Sequence, residues 1–389
     1  DLLIAEGLLA PYRPGADPAL LSEAQQMALQ RLKQLAAHEV GHALGFAHNF
    51  AASRTATGSV LDYPHPQVTL GSDGRPRMPK AYDTGMGEWD RFAVAHGYGD
   101  FPPQSESAEL AKLRAGIQAK GYAYVSDGDA RAYNHAHEDG MLWDLPGEPM
   151  QGLHNLLAVR KAALAHFAEG ALPPDRQLGD AERRLVPIYL LHRYQAEAVA
   201  RLLGGSSYAY GLIGDTAKGA VPVAADRQRE ALALLSGLLS QDTLQLPESV
   251  LRSLSPPSND YTRGLEFFGT RMDPLFDPLQ AAAAASALIA KMSFDPARLN
   301  RLAWQQARDS NVPSVSDVFE VLVSTPWREN GGNALLINTR NWAVLDAALL
   351  TLDGGNLHPA VAAQWRGALA SLAKQLQSGR GREQQDAGR

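Results

Sequence analysis

The chain of 389 residues contains no cysteine. This absence excludes disulfide frameworks, thiolate zinc sites and cysteine nucleophiles. Any zinc site must therefore be built from histidine and carboxylate side chains. The missing cysteines do not fix the cellular compartment, because an exported protein can fold without disulfide bonds.

Long apolar runs and clusters of positive charge are also missing. The longest apolar run, residues 281–290, is too short to span a bilayer, which takes about 20 residues. The net charge is -6, and lysine and arginine are scattered along the chain without forming a run that could follow a phosphate backbone. We therefore expect neither a membrane span nor a nucleic-acid partner.

A signal peptide is not visible either. The first residue is Asp1, and no charged segment followed by an apolar stretch precedes the first predicted helix. We therefore expect the chain to be a processed or excised piece of a longer protein, whose targeting signal would lie outside these residues.

What is present is an ordinary globular composition, with 45% hydrophobic residues and a length that favours two domains. Prolines and a glycine break any periodicity in residues 1–22, so we predict a loop there. A capping box formed by Ser22 and Gln25 then predicts a long helix from about residue 23 to residue 44.

The remainder of the chain reads as mainly α-helical. Residues 49–79 are rich in turn-forming residues and predict a loop, and residues 82–99 predict a helix that closes the first unit. Beyond it nearly every periodic segment has helical spacing. The predicted units are a catalytic unit at 1–100, an α-helical domain at 101–377, and a frayed or disordered polar tail at 378–389.

Three residues near the end of the long helix carry the chemistry. His38 and His42 are four residues apart, so both rings lie on one helical face and can reach a single metal ion from successive turns. Glu39 lies one step round from that face. There its carboxylate can take a proton from a metal-activated water and later deliver it to a leaving amine.

A third ligand is possible only if the helix ends in the right place. His48 lies six residues beyond His42, and six helical steps of about 100° would carry it roughly 240° round, away from the ligand face. Gly45 can adopt a positive φ at little steric cost, so the chain can turn there and bring His48 back to the metal. The spacing therefore predicts that the helix ends at Gly45.

Together these residues predict a site for one zinc ion per chain. Three neutral imidazoles leave one position of a roughly tetrahedral zinc for water, as in catalytic sites. The metal would lower the pKa of that water to about 7 and polarise a substrate carbonyl. The alternative is an amphipathic helix whose histidines are solvated or cap its C-terminus, which explains neither Glu39 nor Gly45.

The string HEVGHALGFAH at residues 38–48 resembles the extended zinc motif of the metzincins, a family of zinc peptidases. The resemblance implies a further element, the Met-turn, and SVLDYP at residues 59–64 is similar to it. Leu61 stands where the family places methionine. That methionine packs beneath the metal without binding it, so a leucine of similar volume should cost under about 1.5 kcal/mol.

Other residues around the turn gain expected roles from the same resemblance. Tyr63 matches the position from which some metzincins bring a tyrosine to the metal or the oxyanion, and is a candidate transition-state stabiliser. The alternative is a phenol packed under the site. Asp62 is expected to bond backbone within the turn. Residues 82–99 resemble the closing helix that packs beneath the Met-turn.

A narrower resemblance extends over most of the chain. It rests on HNFAAS at 48–53, the turn, RYQ at 193–195 and GG at 204–205, which look like a bacterial group of large zinc-dependent peptidases of uncharacterised function. In that group a helical region follows the metzincin core. Metzincins also hold substrate against a sheet that precedes the zinc helix. The resemblance therefore implies that this β-sheet subdomain is missing from the chain: it either lies on an upstream segment of the same parent protein packed on residues 1–100, or is absent. In either case the isolated chain could be inactive. We expect a protein or peptide substrate and a periplasmic or secreted location.

Two rivals to a zinc-dependent endopeptidase remain open. One is a non-catalytic binding or scaffold module with a vestigial metal site, in which the helical domain supplies the function; the other hydrolyses an amide other than a peptide bond. The presence of Glu39 argues against a vestigial site, since a structural metal needs no general base. Elsewhere, His135 and His137 predict a solvated loop rather than a second metal site, and His65 a surface loop residue.

Overall fold

The structure, a computed structural model, describes residues 2–55, 58–211, 213, 219–257, 264, 266–329 and 331–386, with the backbone alone from residue 379 onward. It is 58% helix and 2% strand, which confirms the mainly α fold class. The helices are α1 Leu2–Leu9, α2 Ala19–Ala43, α3 Glu88–Tyr98, α4 Glu106–Ala119, α5 Pro149–Gly170, α6 Ala181–Tyr189, α7 Arg193–Ala200, α8 Ala225–Gly237, α9 Gln241–Leu244, α10 Glu248–Ser253, α11 Pro278–Ser293, α12 Pro296–Arg308, α13 Val315–Phe319, α14 Thr325–Trp327, α15 Ala334–Asp353 and α16 Pro359–Asp386.

Strands are confined to two short antiparallel pairs in the described residues. Strand β1 (Thr69–Leu70) pairs with β2 (Pro76–Arg77), and β3 (Ser206–Ser207) pairs with β4 (Val221–Pro222). Short 3-10 turns form at Ala52–Arg54, Asp127–Asp129 and Leu178–Asp180, and a π-helical turn at Glu320–Ser324 joins α13 to α14. The architecture is therefore helix packed on helix, with no sheet layer in the part of the chain that the structure describes.

The prediction of a loop at residues 1–22 is wrong for both of its ends. Helix α1 occupies residues 2–9, and α2 begins at Ala19. Its first turn is capped by Asp17, whose carboxylate accepts the Ala19 N–H at 2.9 Å, so Ser22 lies inside the helix and forms no capping box. An eight-residue helix is too short to be stable alone. Tertiary packing stabilises α1, whose Ala5 and Leu8 are buried.

The end of the chain also differs from its prediction. Helix α16 continues to Asp386, so most of the segment predicted as a frayed tail is helical; residues 387–389 lie outside the described residues. The polar composition of this last stretch carries no apolar periodicity from which a helix could have been predicted. None of the helices in the described residues is long and apolar enough to cross a membrane.

Two large apolar clusters form the core. One is built around Trp365, Phe294 and Phe319 in the C-terminal helices. The other joins α1 and α2 to α5 and α6, so residues such as Met27 and Phe167 share one core. The zinc-motif helix is therefore braced by helices that lie beyond residue 100. The division at residue 100 remains a prediction about domains.

Buried arginines connect the helical region to the segment at residues 130–135. Arg298 is fully buried, and its guanidinium donates to the carbonyls of Met292, Leu203 and Tyr133 at 2.9 Å each and to that of Ala200. Burial lowers the pKa of Arg298 to about 9, and the ring of carbonyls keeps it charged at neutral pH. A buried charge held in this way fixes its partners strongly, because its loss would take a donor from four buried carbonyls, of which that of Ala200 also accepts the Leu203 N–H at 3.1 Å.

We predict that Arg298→Met destabilises the fold by about 3 kcal/mol or more, since several buried carbonyls lose their donor at once. The measurement is urea unfolding followed by circular dichroism. Arg308→Met is the matched control, because Arg308 is exposed at the end of the same helix and its loss should change the unfolding free energy little. Equal effects of the two substitutions would contradict the role given to Arg298.

Candidate metal centre

The last turn of α2 ends as the glycine spacing predicts. Gly45 has φ +87°, a value at which a β-carbon strains the backbone. The Gly45 N–H bonds the His42 carbonyl at 2.9 Å, and the Phe46 N–H bonds the Gly41 carbonyl at 3.1 Å. These two bonds form a Schellman motif. The prediction that the helix must stop here for His48 to return is confirmed.

The return brings three imidazoles together. The Nε2 atoms of His38 and His42 are 3.0 Å apart, and those of His42 and His48 are 3.2 Å apart. Zinc–nitrogen bonds of about 2.0–2.1 Å at tetrahedral angles would separate two ligand nitrogens by roughly 3.3 Å. The histidines are therefore placed to bind a metal.

The opposite nitrogen of each ring is anchored to an oxygen. Carbonyl and carboxylate oxygens only accept hydrogen bonds, so every Nδ1 must carry a proton, and in the neutral ring Nε2 then presents a lone pair. Three lone pairs that converge at about 3 Å repel one another unless a cation lies between them, which makes the donor set fit a metal ion. The three anchoring bonds are His38 Nδ1 to the Val60 carbonyl (2.7 Å), His42 Nδ1 to the Phe46 carbonyl (2.8 Å) and His48 Nδ1 to the Asp127 carboxylate (2.7 Å).

Burial acts on the His38 ring in the same direction. His38 is 2% exposed, and burial lowers its pKa because the charged imidazolium is poorly solvated there. The ring is accordingly neutral near pH 7, which is the form that binds a metal.

The turn at residues 59–63 is fastened from below by α3. The carboxylate of Asp90 accepts the Gly87 N–H at 2.7 Å and the Val60 N–H at 3.0 Å, and also bonds the Ser59 hydroxyl. The fixed Val60 carbonyl then anchors the His38 ring. Asp90 is therefore part of the support of the site, although no local pattern distinguishes it from other acidic residues in the sequence.

Leu61 fills the space beneath the ligands. It is 2% exposed, and a β-carbon added at Gly41 would lie 2.6 Å from its Cδ2 atom. Gly41 sits between His38 and His42 on α2, so the leucine packs directly against the ligand-bearing turn. This contact agrees with the role that the resemblance implied for the turn residue.

Tyr63 lies against the ligands. Its ring centroid is 5.1 Å from that of His38 and 4.8 Å from that of His48, and Trp143 stacks on it at 4.9 Å. Its hydroxyl accepts a hydrogen bond from Arg131 at 3.4 Å. The phenol thus packs beside the site and also presents its oxygen to a cation, so this contact does not choose between the two roles considered for it.

Glu39 and Asp62 occupy different surroundings. The Glu39 side chain is exposed beside His38, where water and a substrate can reach it. Asp62 is buried and accepts the Tyr63 N–H at 2.6 Å, which confirms the prediction of a backbone bond within the turn. Burial and the neighbouring Asp144 carboxylate raise the pKa of Asp62 well above its ordinary value.

The structure adds three residues that sequence analysis did not assign to the site. Asp127 bonds His48 from 79 positions away, Arg131 approaches Tyr63, and Trp143 covers it. No spacing rule could have found them, because the contacts join distant segments. Asp127 appeared in the sequence only as one of several acidic residues near His135.

The other histidine candidates are accounted for in the described residues. His137 is 1% exposed, so the prediction of a solvated loop is wrong for this residue. Its ring bonds the Tyr208 carbonyl at 2.9 Å, while the Asp129 carboxylate accepts the hydroxyl of Tyr208 at 3.0 Å. Within the described ranges the His38, His42 and His48 group is the one cluster placed to hold a metal. The prediction of a surface position for His65 is wrong: it is 6% exposed, and burial lowers its pKa to about 4.

We predict that Gly41→Ala destabilises the protein by about 1–3 kcal/mol through overpacking against Leu61, although alanine is the better helix former by about 1 kcal/mol. Urea unfolding measures the effect. Gly116→Ala in α4 is the control, since a β-carbon there meets nothing within 4 Å and should be stabilising.

The double variant Gly41→Ala, Leu61→Ala tests the cause. It should be less destabilised than the sum of the two single variants, because the clash is absent once Leu61 is truncated. Simple additivity would contradict the assigned contact.

Comparison with known proteins agrees with this geometry. No curated protein and no solved structure matches the chain. A family described as Met-zincin matches residues 21–333, which runs from the start of the ligand-bearing helix α2, through the turn beneath it, into the C-terminal helices. With the match covering most of its length and the three histidines placed to bind a metal, the chain belongs to the Met-zincin family.

Proposed function

We propose that this protein is a zinc-dependent endopeptidase that binds one zinc ion through His38, His42 and His48. The observation that carries the proposal is the convergence of three Nε2 lone pairs beside the exposed carboxylate of Glu39. When bound, zinc supplies the Lewis acidity that activates a water molecule and polarises the scissile carbonyl. Family membership supports a metallopeptidase of this kind.

Glu39 is the proposed general base and acid. It follows a ligand directly on α2 and remains exposed, so it can accept the proton of the attacking water and deliver it to the leaving amine. A purely structural site would not need a carboxylate in this place.

Tyr63 is the proposed oxyanion stabiliser. Its ring is held between the ligand histidines and Trp143, so its hydroxyl is fixed before substrate arrives. A donor that needs no reorganisation stabilises developing negative charge most effectively.

A cleft next to Tyr63 supports a protein or peptide substrate. Its volume is about 450 Å³, within the range of known ligand sites. The Trp143 N–H bonds the Tyr63 carbonyl at 2.7 Å, which ties the cleft to the metal-binding turn. The lining includes Arg131, Tyr133, Met141, Trp143, Tyr194 and Glu197.

The chemistry of this cleft favours an apolar or aromatic substrate side chain. Two of its aromatic rings already form cation–π contacts within the protein: Lys291 lies 5.4 Å from the Tyr133 centroid and Arg193 lies 4.3 Å from that of Tyr194. A cationic side chain of a substrate would be repelled by these charges. Glu197, the acidic residue of the lining, is paired with the buried Arg201. Its carboxylate is therefore not free to attract a cationic substrate side chain.

The exposed face of α2 supports the expected packing of a further part of the same polypeptide. Leu29 is 50% exposed, Leu32 63% and Val40 59%, and Leu44, just past the end of α2, is 44% exposed. Their spacing places these side chains on one side of the helix, where they form an apolar stripe that the exposed Lys33 interrupts. Exposed apolar surface of this kind marks interaction sites. We propose that the upstream segment expected from the resemblance covers this stripe and forms the other wall of the substrate cleft.

The rival function is a binding or scaffold module. Trp304 is 66% exposed on α12, and Trp342 is 61% exposed on α15. Large exposed indoles are enriched at protein interfaces, so the helical region offers surfaces for a partner. This rival predicts that Glu39 is dispensable.

We predict that Glu39→Gln retains zinc but lowers the rate of peptide cleavage by about 100-fold or more, since the general base is lost. The measurements are metal content by elemental analysis, on protein purified without a metal-affinity tag, and cleavage of an unstructured protein. His42→Ala is the companion variant and should lose both zinc and activity. Zinc-loaded wild type and Glu39→Gln that are equally inert would favour the scaffold alternative, and equal cleavage by both would contradict the role given to Glu39.

We predict that Trp143→Ala reduces the preference for peptides with a bulky apolar side chain by about tenfold, because one wall of the cleft is removed. The ratio of kcat/KM for phenylalanine- and glycine-containing peptides measures this preference. Trp304→Ala, a substitution on an exposed surface, should leave the ratio unchanged. A preference that survives Trp143→Ala would exclude this cleft as the specificity site.

A further inference from the structure

The carboxylate of Asp127 lies between a metal-ligand candidate and a cation. Its Oδ2 atom accepts the His48 Nδ1–H at 2.7 Å, and its Oδ1 atom accepts the Nε–H of Arg131. Both oxygens of the Asp127 carboxylate therefore accept a hydrogen bond, the first from His48 and the second from Arg131. A carboxylate bonded on both oxygens has little freedom to rotate, so the direction of its bond to His48 is fixed.

Arg131 extends this connection to Tyr63. Its Nη2 atom donates to the Tyr63 hydroxyl at 3.4 Å, and its guanidinium carbon lies 5.4 Å from the Tyr63 ring centroid and 5.8 Å from that of Phe50. The guanidinium is held by a carboxylate on one side and by two rings on the other. His48, Asp127, Arg131 and Tyr63 form one continuous chain of contacts.

The backbone around Asp127 is attached directly to the backbone around His48. Asn49, fully buried, donates from its side chain to the Ala123 carbonyl at 2.9 Å and accepts the Val125 N–H at 3.1 Å. The Phe50 N–H bonds the Val125 carbonyl at 2.7 Å. Because Asn49 and Phe50 follow His48 in sequence, these bonds place the turn at Asp127–Asp129 beside the imidazole.

We propose that Asp127 is a positioning residue for His48, and that Arg131 locks Asp127 in the orientation this requires. This inference rests on the proposed function, in which the positioned His48 ring binds zinc. It adds a structural element, the turn after residue 125, to a site otherwise built from the zinc motif and the Met-turn.

The bond to Asp127 differs in kind from the bonds that hold the other two rings. His38 and His42 are anchored by backbone carbonyls, which no side-chain substitution removes. His48 is anchored by a carboxylate, which both fixes the tautomer and makes the ring a stronger metal ligand. Removal of such a partner typically costs about 10- to 100-fold in metal affinity.

The first experiment measures zinc affinity of the whole chain by competition with a chromophoric chelator. Asp127→Ala is expected to bind zinc about 10- to 100-fold more weakly than wild type. Asp129→Asn is the matched control: Asp129 lies in the same turn but bonds the hydroxyls of Tyr208 and Tyr210, so its affinity should equal that of wild type. Equal affinities for Asp127→Ala and wild type would overturn the proposal.

The second experiment needs no metal. Nitrogen-15 NMR of histidine-labelled, metal-free protein reports which ring nitrogen carries the proton. Wild-type His48 is expected to be protonated at Nδ1, and Asp127→Ala to show a mixture of tautomers. An unchanged tautomer in the variant would overturn the positioning role even if zinc affinity fell.

These readouts separate the two proposals. A wild-type chain that binds no zinc contradicts the proposed function, while the tautomer of His48 still decides whether Asp127 positions it. The contribution of Arg131 is measured with Arg131→Met. This single variant should bind zinc more weakly than wild type, whereas adding the same substitution to Asp127→Ala should weaken zinc binding no further. Additive effects would show that Arg131 does not act through Asp127.

Discussion

The site depends on holding three imidazole lone pairs together against their mutual repulsion. Each ring is fixed from behind by an oxygen that comes from a different part of the chain: the turn at residues 59–63 for His38, the segment just after α2 for His42 and the turn at Asp127 for His48. A metal ion would remove the repulsion, and the anchors keep the donors in place for it. Much of the surrounding structure holds the oxygens of these three bonds in position.

The helical region braces this arrangement from a distance. Arg201 and Arg298 donate to the Ala130 and Tyr133 carbonyls, and Arg301 donates to those of Asn134 and His135. These bonds hold the backbone on both sides of Arg131. Because backbone carbonyls are the acceptors, the geometry of the segment depends on the position of α7 and α12 rather than on its own side chains.

The replacement of methionine by leucine at the turn is compatible with this packing. Leu61 is buried against a glycine between the two helical ligands, where it needs volume and shape rather than a sulfur atom. A leucine fills that space with a similar side-chain volume. The glycine at position 41 and the leucine at position 61 are therefore a matched pair, and the helix is tied to the turn through them.

Local geometry is what the sequence determined by itself. The candidate ligands His38, His42 and His48, the proposed base Glu39 and the helix end at Gly45 are related by spacings of a few residues. The helix period and the freedom of glycine convert such spacings directly into positions. The absence of cysteine likewise restricted the possible zinc ligands to histidine and carboxylate side chains. The helical character of most of the chain also follows from local periodicity.

Only the tertiary structure decided which distant segments support these residues. Asp127, Asp90 and Trp143 reach the site through hydrogen bonds and packing between segments tens of residues apart, and no local pattern specifies such pairings. Helix α1 was missed for the same reason, since burial against α5 and α6 rather than its own periodicity makes it stable. The sequence specified the groups that can bind a metal, and long-range packing specified how firmly and in which direction they are held.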